Sequence, residues 1–435
     1  MKKLSAIVIF SCITAALPVS YSVADEAPDE PATEAESAET ASPRVRRTQT
    51  LREVVYEKLE DARDAADGGD FDGALKTLER LESRKRNSYE RAMTHNMYAY
   101  VYSAKEDYAA AVDAYSQVLE IRNAPDNLKQ STRYTMSKLY MVQERYDESL
   151  AMLSEWMEHS DKITADAWFL RSQIQYQRKA FDHSLNAVET AISMRRESGR
   201  KVSENWYLLQ RAVLFQQKDY PGLAENLEAL VAEHPKSEYW VQLAAVYNEL
   251  GFADKELATL ETAYEQKLLT KERELVNFAQ ALLGQQIPYK AAHVLEIGMN
   301  TGTIGRSARN LSLLGDAWML AHEYEQAIIA MTAAAAESRK GVDYFKLAQI
   351  HTERQEWDKA FDFSQKALDA GDLKAPYQAM IIKGLAQFNM DRLKDAARTF
   401  SMASQFPEAE KVANQWHDYI ESEQQRRAYI ADAGV

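Results

Sequence analysis

Histidines and carboxylates are the side chains of this sequence best able to do chemistry, and their spacing decides which chemistry is open to them. The chain has eight histidines and 66 acidic residues. A zinc site on one helix needs two histidines four residues apart, as in His-Glu-x-x-His, because that spacing places both on one face. His322-Glu323 begins such a motif, but no second histidine follows. Carboxylate pairs such as Glu155 and Glu158 usually form a solvated helix face. The spacing therefore predicts no metal site and no acid–base pair.

Phosphate binding and nucleophilic catalysis have no better support. Gly298, Gly302 and Gly305 lie in the run GMNTGTIG, but no Gly-Lys-Ser/Thr follows and the spacing is not Gly-x-Gly-x-x-Gly. We interpret this run as a loop between two helical units. No Gly-x-Ser-x-Gly elbow occurs, and the one cysteine, Cys12, lies in the N-terminal apolar stretch. The sequence predicts no catalytic residue, no metal and no cofactor, so we expect a protein that is not an enzyme.

The first 24 residues have the pattern of a secretory signal peptide. Two lysines at the start precede an uncharged stretch, and the tripeptide SVA at 22–24 puts small residues at the positions that signal peptidase reads. We expect cleavage before Asp25 and release of the product into the periplasm. An uncleaved inner-membrane anchor and a lipoprotein attached at Cys12 are the alternatives.

Residues 25–49 follow as an acidic linker. Within it, residues 25–43 contain seven carboxylates, no basic side chain and no large apolar group. Such a composition cannot offset the entropy of ordering, so we expect a disordered segment. Arg44, Arg46 and Arg47 form a small basic cluster just before the first helical pattern. We interpret the cluster as a solvated approach to the first helix, with a site for acidic lipid head groups or an acidic partner as the alternative.

Composition favours an all-helical protein that avoids nucleic acid. Only 15 glycines and 10 prolines occur in 435 residues, and good helix formers such as Ala, Leu, Glu and Gln are plentiful. The 46% of hydrophobic residues is enough to build a core. The formal net charge is −14, and an acidic chain repels a phosphate backbone instead of releasing counterions from it.

A repeated pattern runs through the rest of the chain: a bulky residue, two variable residues, then a small residue. Phe71-x-x-Ala74 and Trp357-x-x-Ala360 are two examples. The small residues form a column with intervals of 33 to 39 residues. The column comprises residues 74, 111, 149, 184, 223, 256, 291, 327, 360 and 396, of which 223, 256 and 291 are open to a shift by one residue.

A second column lies on the N-terminal side of the first. A bulky side chain stands thirteen residues before the small residue, a small one twelve residues before it and a large one nine residues before it. Tyr98, Ala99 and Tyr102 are an example. The helical i, i+4 spacing places the bulky and the large side chain on one apolar face. Each unit is therefore predicted to be a pair of antiparallel helices joined by a short turn. His351 stands where other copies have Tyr or Trp, so we expect it to pack in the core.

These two columns resemble the tetratricopeptide repeat, and the resemblance spans residues 50 to 405. It implies an all-α fold, a right-handed superhelical solenoid of about ten antiparallel helix pairs without separate domains. Residues 406–435 are predicted to form a C-terminal capping helix and tail. Glu256 departs from the expected alanine. Pro221 and Pro288 predict copies that are bent or have different turns.

The resemblance also implies a binding surface, because the first helix of each pair lines a concave groove in this family. Placing that geometry on the sequence indicates inward-facing side chains on four first helices. Among them, Tyr100, Tyr134 and Phe345 are candidates to grip an extended peptide or a helix, with ordinary partly exposed surface as the alternative for each. The full candidate set is Asn96, Tyr100, Tyr134, Lys138, Met141, Arg309, Asp316, Met319, Phe345 and Gln349.

Two segments carry a narrower resemblance. PKSEYWVQLAAVYNELG at 235–251 and PYKAAHVLEIGMNTGTI at 288–304 look like a proteobacterial group of exported tetratricopeptide proteins associated with the TonB-ExbB-ExbD energy-transduction system. The resemblance implies a periplasmic adaptor whose partner is an envelope protein or peptide, with TonB, ExbB and ExbD as candidates. Membrane contact is expected only through partners or an uncleaved anchor. A structural scaffold in envelope or polysaccharide assembly is the alternative function.

Overall fold

The computed structural model describes residues 50–432, and these residues form helices joined by short turns. Twenty-one α-helices and no strand occur in this range. The predicted signal peptide at 1–24 and the predicted linker up to residue 49 lie outside the described residues. Between residues 50 and 432, none of the helices has the length and the apolar character needed to cross a bilayer.

The first compact unit ends at Asn226. Its helices alternate with turns of two to six residues. They are α1 (Glu53–Asp67), α2 (Phe71–Glu82), α3 (Ser88–Ala104), α4 (Tyr108–Glu120), α5 (Asp126–Val142), α6 (Tyr146–His159), α7 (Ala165–Gln177), α8 (Phe181–Glu197), α9 (Glu204–Gln217) and the start of α10 (Tyr220–Glu233).

The second compact unit begins at Leu227, within α10. Its further helices are α11 (Ser237–Glu249), α12 (Ala253–Glu265), α13 (Glu272–Gly284), α14 (Pro288–Asn300), α15 (Ala308–Leu320), α16 (Tyr324–Ser338), α17 (Gly341–Glu353), α18 (Trp357–Ala370), α19 (Pro376–Asn389), α20 (Leu393–Ala403) and α21 (Glu410–Asp432).

The helices from α1 to α20 form ten consecutive pairs, which confirms the predicted all-α repeat fold. Within each pair a turn of two or three residues reverses the chain, so the two helices are antiparallel. All ten residues of the predicted column stand at the fourth position of a second helix, including residues 223, 256 and 291. Eight of them are Ala or Ser, and the other two are Leu223 and Glu256. Nine of the ten are buried; Glu256 is half-buried. The small side chains let the partner helix approach closely.

The turn within each pair has one conformation throughout. Two residues before each second helix, the backbone enters the left-handed region of φ. Glycine, which adopts this region without strain, occupies the position only at Gly69 and Gly251. The other eight residues have φ between 56° and 63°; they are Glu106, Glu144, Lys179, Lys218, Gln286, His322, Gln355 and Asp391. A left-handed residue just past a helix end is the usual way to reverse the chain there.

Close approach of the paired helices is achieved in two ways. In α5–α6, the Ser149 hydroxyl donates to the Ser137 carbonyl at 2.7 Å. In α7–α8, Ser172 and Ser184 donate to each other's carbonyl at 2.8 and 2.9 Å. In the second unit, glycine on the first helix instead admits a large side chain from the second. Added Cβ atoms on Gly315 and Gly384 would lie 2.6 Å from Met331 and 2.8 Å from Phe400.

Three irregular copies differ from expectation in detail. Pro221 and Pro288 lie in the first turns of α10 and α14, where the missing N–H has no helical partner to lose, so both copies begin their second helix at the regular position. Glu256 accepts a hydrogen bond from Asn248 Nδ2 at 2.6 Å, and burial raises its pKa. Gly298 is not in a loop but in the last turn of α14. Its missing side chain leaves room for Ile304, to which an added Cβ would come within 2.5 Å.

Candidate protein-interaction surface

The predicted binding residues lie on four first helices, α3 and α5 in the first unit and α15 and α17 in the second. They occupy four positions, which we count from the small residue of their own helix. This is the residue that stands twelve residues before the small residue of the second helix. Asn96, Tyr134 and Phe345 stand three residues before it, and Tyr100, Lys138, Asp316 and Gln349 one residue after it. Met141 and Met319 stand four residues after it, and Arg309 six residues before it.

On α3, Asn96 and Tyr100 are both half-buried. The Tyr100 hydroxyl donates to Asp67 Oδ1 at the end of α1, and this hydrogen bond is the main reason why the pKa of Tyr100 is raised. Tyr100 also packs on the apolar cluster formed by α1 and α2. Its ring is therefore held in place by the neighbouring pair, while part of its surface stays accessible.

On α5, Tyr134 forms an aromatic and cationic group with its neighbours. Its ring lies 4.8 Å from that of Trp156 on α6, and the Lys138 ammonium lies 4.7 Å from its ring centroid. Tyr134 and Trp156 are half-buried, and Lys138 is exposed. Aromatic rings with a cation alongside are typical of residues that dominate protein interfaces. Trp156 is on a second helix, so the first-helix columns did not identify it.

Met141 does not contribute to this surface. The structure places it at 6% exposure, in a core cluster with Leu153, Met157, Leu170 and Ile174. It is one helical turn beyond Lys138, where the following helix pair covers α5. The sequence position alone predicted an inward-facing surface residue, and packing of the next pair overrides that prediction.

In the second unit, Asp316 belongs to a polar network that joins α15 to α17. Lys346 Nζ donates to Asp316 Oδ2 at 2.6 Å and to Ser312 Oγ at 2.8 Å. Ser312 in turn donates to Asp343 Oδ1 at 3.0 Å. Burial raises the pKa of Asp316, and Lys346 opposes this effect. The network fixes the two first helices relative to each other and leaves a half-buried ion pair, with side-chain exposures of 31% and 22% for Asp316 and Lys346.

Sequence reasoning did not identify Lys346, Ser312 or Asp343. A signal existed for Ser312, which stands three residues before Gly315, in the same column as Tyr134 and Phe345. Lys346 follows Phe345 directly and stands outside every column. Of the remaining candidates in this unit, Met319, Phe345 and Gln349 are half-buried, and Arg309 is exposed.

Between residues 50 and 432, no group of three His, Cys, Asp or Glu side chains is placed to hold a metal ion. His351 is 2% exposed, as its column position predicts. Its Nδ1 lies 2.8 Å from Glu356 Oε2 and its ring stacks on Phe363. Burial lowers the pKa of His351, so this histidine acts as a core residue.

Residues 50–432 have the fold of an α-helical repeat protein built from ten consecutive helix pairs. The sequence of residues 59–127, from α1 to the start of α5, matches the family model described as "Tetratricopeptide repeat". This match identifies the segment as tetratricopeptide repeats, and the later helix pairs continue the same architecture. No curated protein matches the sequence.

Several solved structures are similar in architecture at low sequence identity. A tetratricopeptide repeat protein from Parabacteroides merdae is 14% identical, with 68% of this chain and 98% of that chain covered and a TM-score of 0.36. The Cut9-Hcn1 hetero-tetramer of the APC/C is 13% identical, with coverage of 85% and 84% and a TM-score of 0.33. The TPR2AB domain of yeast Sti1, in a complex with pHSP90, is 14% identical, with coverage of 67% and 98% and a TM-score of 0.30.

Proposed function

We propose that this chain is a periplasmic protein-binding scaffold that serves TonB-dependent uptake as an accessory adaptor. Tetratricopeptide repeats support the scaffold part of the proposal, because stacked helix pairs expose an extended surface built from regular positions. The periplasmic part rests on the signal-peptide pattern of residues 1–24. The TonB part rests on the likeness of residues 235–251 and 288–304 to exported proteins of that system.

The observation that carries the proposal is the Tyr134 group. Tyr134, Trp156 and Lys138 combine two half-buried rings with an exposed ammonium. Because the two rings are in contact before any partner arrives, little side-chain freedom is lost when one does. The group suits a partner segment with an apolar side chain for the rings and a carboxylate for Lys138. It needs no chemistry of its own, which is consistent with a passive scaffold.

Site-specific photo-crosslinking in intact cells tests this proposal. The full-length chain would carry a photoreactive amino acid in place of Tyr134, in its native host under iron limitation. Asp113, an exposed residue on the second helix α4, gives the matched control position. We expect adducts with TonB, ExbB, ExbD or an outer-membrane receptor at position 134 and not at position 113.

Two other outcomes are informative. Adducts at position 134 with proteins of envelope or polysaccharide assembly, without any TonB component, would replace the adaptor role with the structural scaffold. Equal adducts at positions 134 and 113 would remove the Tyr134 group as the binding surface. Phe345 and the exposed Asp362 on α18 provide the same comparison for the second unit.

A further inference from the structure

An apolar cavity opens on the surface of the second unit between α14, α15 and α16. Its volume is about 110 Å³. Met299, Leu311, Leu314 and Trp318 line it, and each of these side chains is almost completely buried. Drug-sized ligands occupy pockets of roughly 300–1,000 Å³, whereas an apolar cavity of about 150 Å³ admits one benzene ring. The cavity is therefore of a size to take one aliphatic side chain.

A side chain that fits such a cavity stands at its edge. Ile329 of α16 lines the cavity and is 71% exposed, the highest value of any large aliphatic side chain between residues 50 and 432. The outer face of α16 is neutral, because no Asp, Glu, Lys or Arg occurs between Glu325 and Glu337. Single exposed apolar residues are common. A protruding aliphatic side chain beside an apolar cavity, on a neutral face, instead indicates an interaction surface.

Two charges of opposite sign lie on the rim of the same cavity. Glu296 of α14 and Arg306 of the α14–α15 loop both line it. Glu296 is half-buried, and His293 Nδ1 lies 3.9 Å from its Oε2. Arg306 is exposed and forms no ion pair with any residue between 50 and 432. A partner that covers the cavity can therefore pair a carboxylate with Arg306 and a cation with Glu296.

A second copy of this chain meets all of these requirements. A two-fold contact places the same patch on both sides, so that each residue meets its complement twice. This patch has both the cavity and an aliphatic side chain that fits it, and its rim has both signs of charge. The neutral face of α16 also matters, because the formal net charge of −14 makes two copies repel each other elsewhere.

We propose that α14 and α16 form a two-fold interface with a second copy of the chain. Ile329 of each copy enters the cavity of the other, and Arg306 of each copy pairs with Glu296 of the other. Apolar side chains at the centre and charged groups at the rim are the usual arrangement of a protein interface. The interface uses second helices of the second unit, whereas the Tyr134 group lies in the first unit. This inference is therefore independent of the proposed adaptor role.

Sedimentation velocity of the purified full chain across the micromolar range tests the interface. The 49.4 kDa chain is expected to reach twice its own mass. Ile329→Glu places a carboxylate in the apolar cavity of the other copy and is expected to raise the dissociation constant about thirtyfold or more. Met402→Glu is the matched control, because Met402 is 55% exposed on another second helix, α20, and does not line the cavity. Circular dichroism verifies that both variants are folded.

The rim charges give a second test that leaves the apolar residues unchanged. Arg306→Glu and Glu296→Arg each place like charges opposite one another across the two-fold axis. Each variant alone is expected to dimerise about tenfold more weakly than the unmodified chain. In an equimolar mixture the two substituted side chains face each other with opposite charges, and so do the two unmodified ones. The mixture is therefore expected to dimerise as strongly as the unmodified chain.

Three outcomes overturn the proposal. The first is a chain that stays monomeric throughout the micromolar range, which would leave the cavity to a different partner. The second is a dimer that Ile329→Glu leaves intact or that Met402→Glu weakens equally, which would place the contact between copies elsewhere. The third is a mixture of Arg306→Glu and Glu296→Arg that associates no more than either variant alone, which would exclude their pairing across a two-fold axis.

Discussion

The helix pairs α5–α6 and α7–α8 of the first unit differ from α15–α16 and α19–α20 of the second in how two helices come close. At the point of closest contact in the first two pairs, Ser137 and Ser149 or Ser172 and Ser184 hydrogen-bond across the contact. We call these two contacts the serine crossings. At the other two, glycine admits Met331 or Phe400; we call them the glycine crossings. The same contact between the two helices of a pair is therefore polar in one region and apolar in the other. The two helices can approach only where the side chains are small, and either a pair of serines or a glycine meets this condition.

The largest effect is expected from Phe400→Ala at the α19–α20 glycine crossing. Phe400 is fully buried, and its ring stacks on that of Trp416 in α21 at 5.7 Å. Removing the ring leaves a cavity at this crossing, because Gly384 on the facing helix has no side chain to fill the space. We expect a loss of about 3–5 kcal/mol, measured as lower protection against hydrogen exchange in α19, α20 and α21. Unchanged protection there would mean that α21 does not depend on this contact.

The two glycine crossings should differ when glycine is replaced by alanine. In Gly384→Ala the new methyl group meets the rigid ring of Phe400 at 2.8 Å, and in Gly315→Ala it meets the flexible side chain of Met331 at 2.6 Å. We expect Gly384→Ala to cost about 1–3 kcal/mol and Gly315→Ala less, because methionine adapts its rotamers readily. Urea unfolding of the two variants gives the comparison. A larger loss for Gly315→Ala would show that Met331 cannot move.

At a serine crossing, single and double substitutions should not add. Ser149→Ala removes the hydrogen bond to the Ser137 carbonyl and is expected to cost about 1 kcal/mol. The double variant S137A/S149A reproduces the alanine pair found at other crossings, such as Ala99 and Ala111, both fully buried. We expect the double variant to lose less than the sum of the single ones. Strict additivity in denaturant unfolding would show that the two serines act independently.

The turns within the pairs provide a reference, because they are alike in both regions. Gln286 adopts a left-handed conformation with φ of 58°, where Gly251 has 77°. We expect Gln286→Gly to stabilise the chain by about 0.5–1 kcal/mol, since relief of backbone strain exceeds the entropy cost of glycine. Gly251→Ala is expected to destabilise by a similar amount. Thermal unfolding of the two variants checks this, and shifts in the same direction would contradict it.

The smallest effect concerns pH and the α17–α18 pair. Burial lowers the pKa of His351 below its ordinary value of 6.5, so the unfolded chain binds a proton more readily than the folded one. The stability from burying neutral His351 is complete above pH 6.5 and is lost as the pH falls below that value. We expect His351→Phe, which can still stack on Phe363, to weaken the pH dependence of urea unfolding between pH 6.5 and 5. An unchanged profile would mean that His351 is not the titrating group.

The sequence by itself determined the architecture. The two columns of small and bulky residues identified the paired helices, and each of the ten assigned column residues lies at the fourth position of a second helix. This was possible because helical spacing fixes which side chains share a face, and one close contact per pair restricts the residue types there. The same reasoning placed His351 in the core, where it is found.

Only the tertiary structure decided which first-helix residues form a surface and which are covered. Met141 is buried by the following pair, and Lys346 reaches Asp316 and Ser312 from the next first helix. The left-handed turn residues could not be predicted from composition either, because eight of them are not glycine. These features depend on contacts between residues about 30 positions apart. Local spacing does not encode those contacts, because they are set by how each helix pair rests on its neighbour.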